Sequence, residues 1–198
     1  MVSKPVPPVI AMSRIPPKPL NDYPWYIRFF LRRQRRVYGQ MLAPSLLWGR
    51  LPGAFIGMLG LLGVFGRRTY PVDARLRSLV SIRIAQLNGC HFCVDLNAYN
   101  FLKASGDEAR AAAVAEWRQS DLFTPAERAA LGWAEAVTER CAGIDQQAVN
   151  ALRVHFNDDQ VTGLTAWIGF QNMSAKFNAA LGAEQHGFCD LGQRGDQG

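Results

Sequence analysis

Apolar positions recur three and four residues apart along most of the 198-residue chain, and the strict alternation of a half-buried strand is absent. The pattern predicts an all-α protein. Residues 24–70 read as helical, with breaks at Pro44 and Pro52 and a turn at Tyr70-Pro71. Asp73 is placed to cap the next helix, DARLRSLVSIRIAQL, whose apolar stripe is Leu76, Leu79, Val80, Ile84 and Leu87. Arg83 falls on that stripe. A guanidinium there either finds a carboxylate or carbonyls in the interior or snorkels to the surface. Asn88-Gly89 ends this helix, and a second runs from near Cys90 to about Ser105 with Gly106 as its stop. Further helices are expected over 107–119, over 124–141 with Pro125 in the first turn, over 145–156 and over 158–180.

Two stretches depart from ordinary amphipathic helix. Six prolines lie within residues 5–19, which therefore read as an extended arm ordered against a partner. LPGAFIGMLGLLGVFG, Leu51 to Gly66, is uncharged throughout between Arg50 and Arg67. A spanning helix needs about 20 apolar residues, so this run reads as a buried or subunit-interface helix rather than a membrane element. Its glycines at 53, 57, 60 and 63 would let another helix approach closely.

Charge is unevenly distributed. Residues 1–70 carry eleven Lys and Arg against one acid, Asp22, whereas 71–198 carry eleven against fifteen. The basic part includes RFFLRRQRRVYG, Arg28 to Gly39. No nucleic-acid motif accompanies it, so it reads as a solvated or docking helix face; contact with a membrane surface is the lesser alternative. With 48% apolar and 19% charged residues the chain is globular, and four cysteines are too few for a disulfide scaffold. No signal peptide is evident, which points to a reducing cytoplasm, where paired cysteines are catalytic or metal-binding more often than structural.

The pair is Cys90 and Cys93 in NGCHFCVDLN. The first turn of a helix stabilises a thiolate through the dipole and unpaired N–H groups, and C-x-x-C spacing brings the sulfurs within disulfide reach. One thiolate can then attack an oxidant while the other resolves the product. Cys90, Cys93 and Asn97 share a helix face, so Asn97 can donate toward the Cys93 sulfur. His91 and Asp95, four apart, can pair on another face.

LRSLVSIRIAQLNGCHFCVDLN, Leu76 to Asn97, resembles the core of the carboxymuconolactone decarboxylase and alkylhydroperoxidase D-like superfamily. TPAERAALGWAEAVT and LTAWIGFQNMSAKFNAALG with the later GFC resemble that family's following helices, so the similarity covers most of residues 70–190. The divisions expected are a Pro-rich arm, 1–21, and a single all-α domain, 22–190, followed by a flexible tail, 191–198. Within the domain, 22–70 is a basic, Gly-rich helical extension and 71–190 the family core. The resemblance implies a homo-oligomer (dimer, trimer or hexamer), with Cys93 as the nucleophile toward peroxide and Cys90 as the resolving thiol. It further implies a lipoyl or thioredoxin-like dithiol as reductant, and neither cofactor nor metal.

The peroxidase members also relay protons through a glutamate twelve residues before the first cysteine and a histidine four after the second. Here those positions are Ser78 and Asn97. Neither can act as a base, although both can orient a water or hydrogen-bond a sulfur. His91, poised by Asp95, is the best substitute proton carrier, with Glu135 behind it. The expected activity is thiol–disulfide exchange on a peroxide or disulfide substrate, with peroxidase turnover weakened by the missing relay. Two alternatives stay open. HGFC, His186 to Cys189, could complete a zinc site with the C-x-x-C pair. A retired active site could keep both cysteines as apolar packing in a ligand-binding or scaffold oligomer. Cys141 reads as inert, and Trp133, Trp167, Phe170 and Phe177 read as core.

Overall fold

The structure, a computed structural model, describes residues 13–188. The first twelve residues of the arm, Cys189 and the 191–198 tail lie outside the described residues. Among the described residues every regular element is helical, as the sequence pattern predicts.

The central helix is α4, Ala74–Leu87. It packs against α5 (His91–Ser105), α7 (Pro125–Glu139) and α9 (Asp158–Ala180). Asp73 caps it by accepting from the N–H groups of Arg75 and Leu76. The stripe read from the spacing is too narrow, because neighbours on several sides also bury Ser81, Ile82 and Ala85. Ser81 is satisfied there: its hydroxyl donates to Arg77 O at 2.7 Å and accepts from Trp167 Nε1 at 3.0 Å. Arg83 takes the buried alternative, with Nε donating to Glu135 Oε1 at 2.6 Å.

Residues 22–70 form α1 (Trp25–Tyr38), α2 (Ala43–Trp48) and α3 (Pro52–Phe65). The first break falls at Gly39, φ 74°, and not at Pro44. Pro44 lies in the first turn of α2, where a missing N–H costs nothing because that donor has no intrahelical acceptor. Trp48 stacks on Phe177 of α9 at 4.0 Å, and Phe65 packs on Trp167 and Phe170. Aromatic pairs thus seat the extension on the remainder of the chain. The described end of the arm is tied down as well, by Arg14 N to Leu181 O at 2.8 Å and Arg14 Nη1 to Ala180 O at 2.7 Å.

Within the chain α3 is not a buried helix. Phe55 and Phe65 are inside, but Ile56, Leu61, Leu62 and Val64 face solvent. No described helix is long and apolar enough to cross a membrane.

The helix expected over 107–119 is shorter. α6 spans Glu108–Ala112 and a 3-10 turn follows over Ala113–Glu116. Two contacts account for the early stop. Trp117 turns inward to donate to Glu135, and Arg128 takes the carbonyls of Trp117, Arg118 and Ser120 in one guanidinium. α8, Gln146–Arg153, lies within the expected segment.

Candidate redox site

Asn88 and Gly89 set the corner from which the cysteine helix starts. Asn88 Nδ2 donates to Ile84 O at 2.9 Å and to Asn172 Oδ1 at 3.0 Å, and Gly89 adopts φ 62°, which its missing Cβ permits. Cys90 is the N-cap of α5: its sulfur accepts from Cys93 N–H at 3.2 Å. Cys90 and Cys93 are joined as a disulfide with Cα atoms 5.2 Å apart. Both are buried, at 1% and 5% exposure, yet they are not equivalent. Cys93 lines a cavity of about 480 Å³ whose wall does not include Cys90.

Faces of five helices build that cavity. α5 contributes Cys93, Leu96, Asn97 and Asn100, and α9 contributes Trp167, Phe170, Gln171, Ser174 and Asn178. The extension closes the other side with Phe30, Gln34, Val37 and Tyr38 of α1, Leu42, Ser45 and Trp48 around α2, and Met58, Leu59 and Leu62 of α3. Gln34 fixes this wall by donating to Ser45 Oγ at 2.8 Å and accepting from Leu42 N–H at 3.0 Å. Arg33 and Tyr38 are the ionisable groups, besides cysteine, among the described lining residues. Trp167 and Phe170, read from the sequence as core, thus also face the cavity.

Asn178 is the polar contact of the Cys93 sulfur. Its Nδ2 donates to Sγ at 3.3 Å, and the residue is 2% exposed. A donor aimed at a sulfur favours its ionised form. Nothing at the cysteine motif announces a residue 85 positions away. The signal that could have found it lies in α9, where Gln171, Ser174 and Asn178 repeat at three and four residues as a polar stripe.

The other expected site residues are placed differently. Asn97 lies on the cavity wall, but its Nδ2 donates to the carbonyl of Cys93 at 2.7 Å rather than to the sulfur. Ser78 returns its hydroxyl to Ala74 O at 3.0 Å on its own helix and is not among the cavity residues. His91 is exposed and lines a separate groove with Gly89, Ala179 and Gly182. Asp95 is buried and accepts from the N–H groups of His186 and Phe188 at 3.0 and 2.9 Å, latching the C-terminal segment onto α5.

Glu135 is committed elsewhere. Burial pushes its carboxyl up, but hydrogen bonds from Arg118, Trp117 and Arg83 outweigh that and hold it at about 2. It is a fixed anion at neutral pH. His186 packs edge-on against Phe92 and stacks on Phe188, with Nε2 accepting from Ala43 N–H at 3.4 Å. Burial lowers its pKa despite the opposing charges of Asp95 and Glu184. Among the described residues no group of three or more His, Cys, Asp and Glu is arranged to hold a metal. Cys141 is a free, exposed thiol.

Residues 63–136 match the model of the carboxymuconolactone decarboxylase family. Over 176 residues the chain is 39% identical to the uncharacterized protein YnjA of Escherichia coli, covering 89% of this chain and 97% of that one. Among solved structures it is similar to a peroxidase-related protein with an alkylhydroperoxidase AhpD core from Ralstonia eutropha, with TM-score 0.80, 20% identity and coverage of 88% and 93%. It is also similar to the debrominase Bmp8, with TM-score 0.74, 19% identity and coverage of 92% and 94%. At these identities the two structures establish the fold.

Proposed function

The chain belongs to the carboxymuconolactone decarboxylase and alkylhydroperoxidase D-like superfamily, and from that premise we propose that it is a thiol–disulfide oxidoreductase that reduces an organic peroxide. The observation that carries the reading is the asymmetry of the pair: a disulfide in which Cys93 alone lines a partly open, largely apolar cavity. Reduced Cys93 attacks the terminal oxygen of the peroxide as a thiolate. The S–O bond forms as the O–O bond breaks, and the alkoxide leaves as an alcohol once protonated. Cys90 then attacks the sulfenic sulfur, water departs, and the disulfide results. A dithiol such as a lipoyl or thioredoxin-like protein restores both thiols.

Asn97 and Asn178 serve as hydrogen-bonding groups in place of the relay. His91, exposed in a separate groove, is suited to proton traffic with solvent rather than to contact with the substrate. Residues 22–190 work as one unit in this reading, since the extension supplies a wall of the cavity. The exposed apolar face of α3 supports a homo-oligomer, and the paired thiols suit a reducing cytoplasm.

The test is stoichiometric reaction of the reduced protein with cumene hydroperoxide. One disulfide and one cumyl alcohol should form per chain; Cys93→Ser should abolish both, and Cys90→Ser should stall at the sulfenic acid. Oxidation that continues unchanged in Cys93→Ser would sink the reading. A second reading, reductive dehalogenation of an aromatic ring, is favoured by the aromatic wall of Phe30, Trp48, Phe92 and Phe170. It predicts halide release from a bromopyrrole at the expense of the same two thiols.

A further inference from the structure

The outward side of α1 carries both charge and large aromatic rings. Trp25 and Phe29 are 73% and 67% exposed, and Arg32, Arg33 and Arg36 are exposed beside them. At positions i, i+4, i+7, i+8 and i+11 these five side chains form one stripe along the helix, opposite the buried Ile27 and Leu31. The arginines have no counter-charge nearby in the chain. Residues 23–72 contain eight arginines and neither Asp nor Glu, and no arginine of α1 takes part in the described ion pairs. Arg33 and the exposed Val37 line the cavity together with Leu62 of α3, which is 40% exposed. The charged stripe thus runs on into aliphatic surface.

We propose that this side of α1 docks on an anionic lipid bilayer. The guanidinium groups pair with lipid phosphates, for which their planar fork is suited. Trp25 and Phe29 enter the headgroup level, where a basic helix face places its aromatic anchors. The mixture selects the bilayer: a nucleic-acid backbone or an acidic protein surface would answer the arginines but leave Val37 and Leu62 in water. Leu61 and Val64 turn away from Leu62 around α3, so that side stays free for a second copy of the chain. Contact of this kind lies on the membrane and needs no spanning helix. It also does not depend on the redox reading.

The experiment is sedimentation of the oxidised full-length protein with vesicles of phosphatidylcholine alone and of equal parts phosphatidylglycerol and phosphatidylcholine. The anionic vesicles should bind at least about tenfold more tightly. Arg32→Gln with Arg36→Gln should weaken that binding about thirtyfold, since each guanidinium near such a surface contributes on the order of fivefold. Trp25→Ala with Phe29→Ala should weaken it about tenfold through lost apolar burial. Absence of binding, equal binding to both vesicles, or binding that survives both pairs of substitutions would each overturn the proposal. Displacement from the vesicles by single-stranded RNA at equal phosphate concentration would assign the stripe to nucleic acid instead. Loss of self-association in Trp25→Ala with Phe29→Ala would assign it to a second copy. The comparison of the two vesicles uses the unmodified protein, so it decides the matter even where a variant fails to fold.

Discussion

Asn97 donates its amide N–H to the carbonyl oxygen of Cys93, one turn back, at 2.7 Å. The side chain at the position where the peroxidase members carry a histidine is therefore spent on the backbone, and the described cavity wall offers no carboxylate or imidazole in its stead. Peroxide reduction should then show one ascending pH limb, set by the Cys93 thiol, with no second inflection. Installing Asn97→His with Ser78→Glu should raise turnover at least tenfold and add the second limb, as general acid–base assistance typically contributes about 10²–10⁴-fold. Steady-state rates with cumene hydroperoxide between pH 5 and 9 check this. A folded double variant with flat turnover would show that the relay positions do not limit the reaction.

Reduced Cys93 sits in the first turn of α5 and receives the Asn178 N–H, and both contacts favour its thiolate. Alkylation rates followed by peptide mass over pH give its apparent pKa. Asn178→Leu should move that value upward. An unshifted value in both proteins would remove the donor from the account, and a thiol that reacts only on unfolding would favour the packing role for both cysteines.

Glu135 contributes stability in a defined pH window. Its folded-state pKa of about 2 lies below the ordinary 4.5, so the contribution is complete above pH 4.5 and is lost as pH falls through 2. Glu135→Gln leaves the partly buried Arg83 and the half-exposed Arg118 facing a neutral amide and should cost about 2 kcal/mol at pH 7. Urea unfolding at pH 3, 5 and 7 should show the unmodified chain weakening toward pH 3 and the variant losing much of that slope.

His186 has the same sign at a higher pH. Burial lowers its pKa from 6.5, so the folded chain keeps the ring neutral where the unfolded chain would protonate it. The stabilisation is whole above pH 6.5 and declines as pH drops below it. Hydrogen exchange of the peptide around His186 and Phe188, whose amides bond to Asp95, should accelerate beyond its intrinsic rate between pH 7 and 5.5. His186→Gln should remove that pH dependence.

The exposed apolar residues of α3 predict a self-associated protein. Leu61 and Val64 are 46% and 44% exposed on a helix without a charge along its length. Light scattering should find an oligomer, and Leu61→Lys with Val64→Lys should dissociate it while helical content is retained. A monomeric unmodified protein would overturn the assignment of this face.

Much of the fold is legible because helix signals are local. Asp73, Gly106 and the Thr124–Glu127 capping box each mark a boundary within one turn of where the structure puts it. The misjudged boundaries depend on distant partners: α6 ends early because Trp117 reaches Glu135, eighteen residues on. The site divides in the same way. Two sulfurs three residues apart are readable as a pair, and even the cavity faces carry a helical period, Phe30, Arg33, Gln34 and Val37 on α1 or Cys93, Leu96, Asn97 and Asn100 on α5. That these faces converge is a tertiary fact. So is the destination of an amide: Asn97 can reach a sulfur or a carbonyl from the same backbone, and packing decides between them.

The cavity takes its sulfur from one part of the chain and much of its shape from another. The cavity residues of α3, and Phe30, Arg33, Gln34 and Val37 of α1, make no hydrogen bond to either cysteine among the described contacts, whereas Leu42, Ala43 and Leu47 around α2 share a buried cluster with Cys90, Phe92 and Cys93. The chemistry and the diet of this protein can therefore evolve at separate rates. Exchanging the cavity faces of α1 and α3 for those of a relative would change what is eaten while leaving the teeth in place.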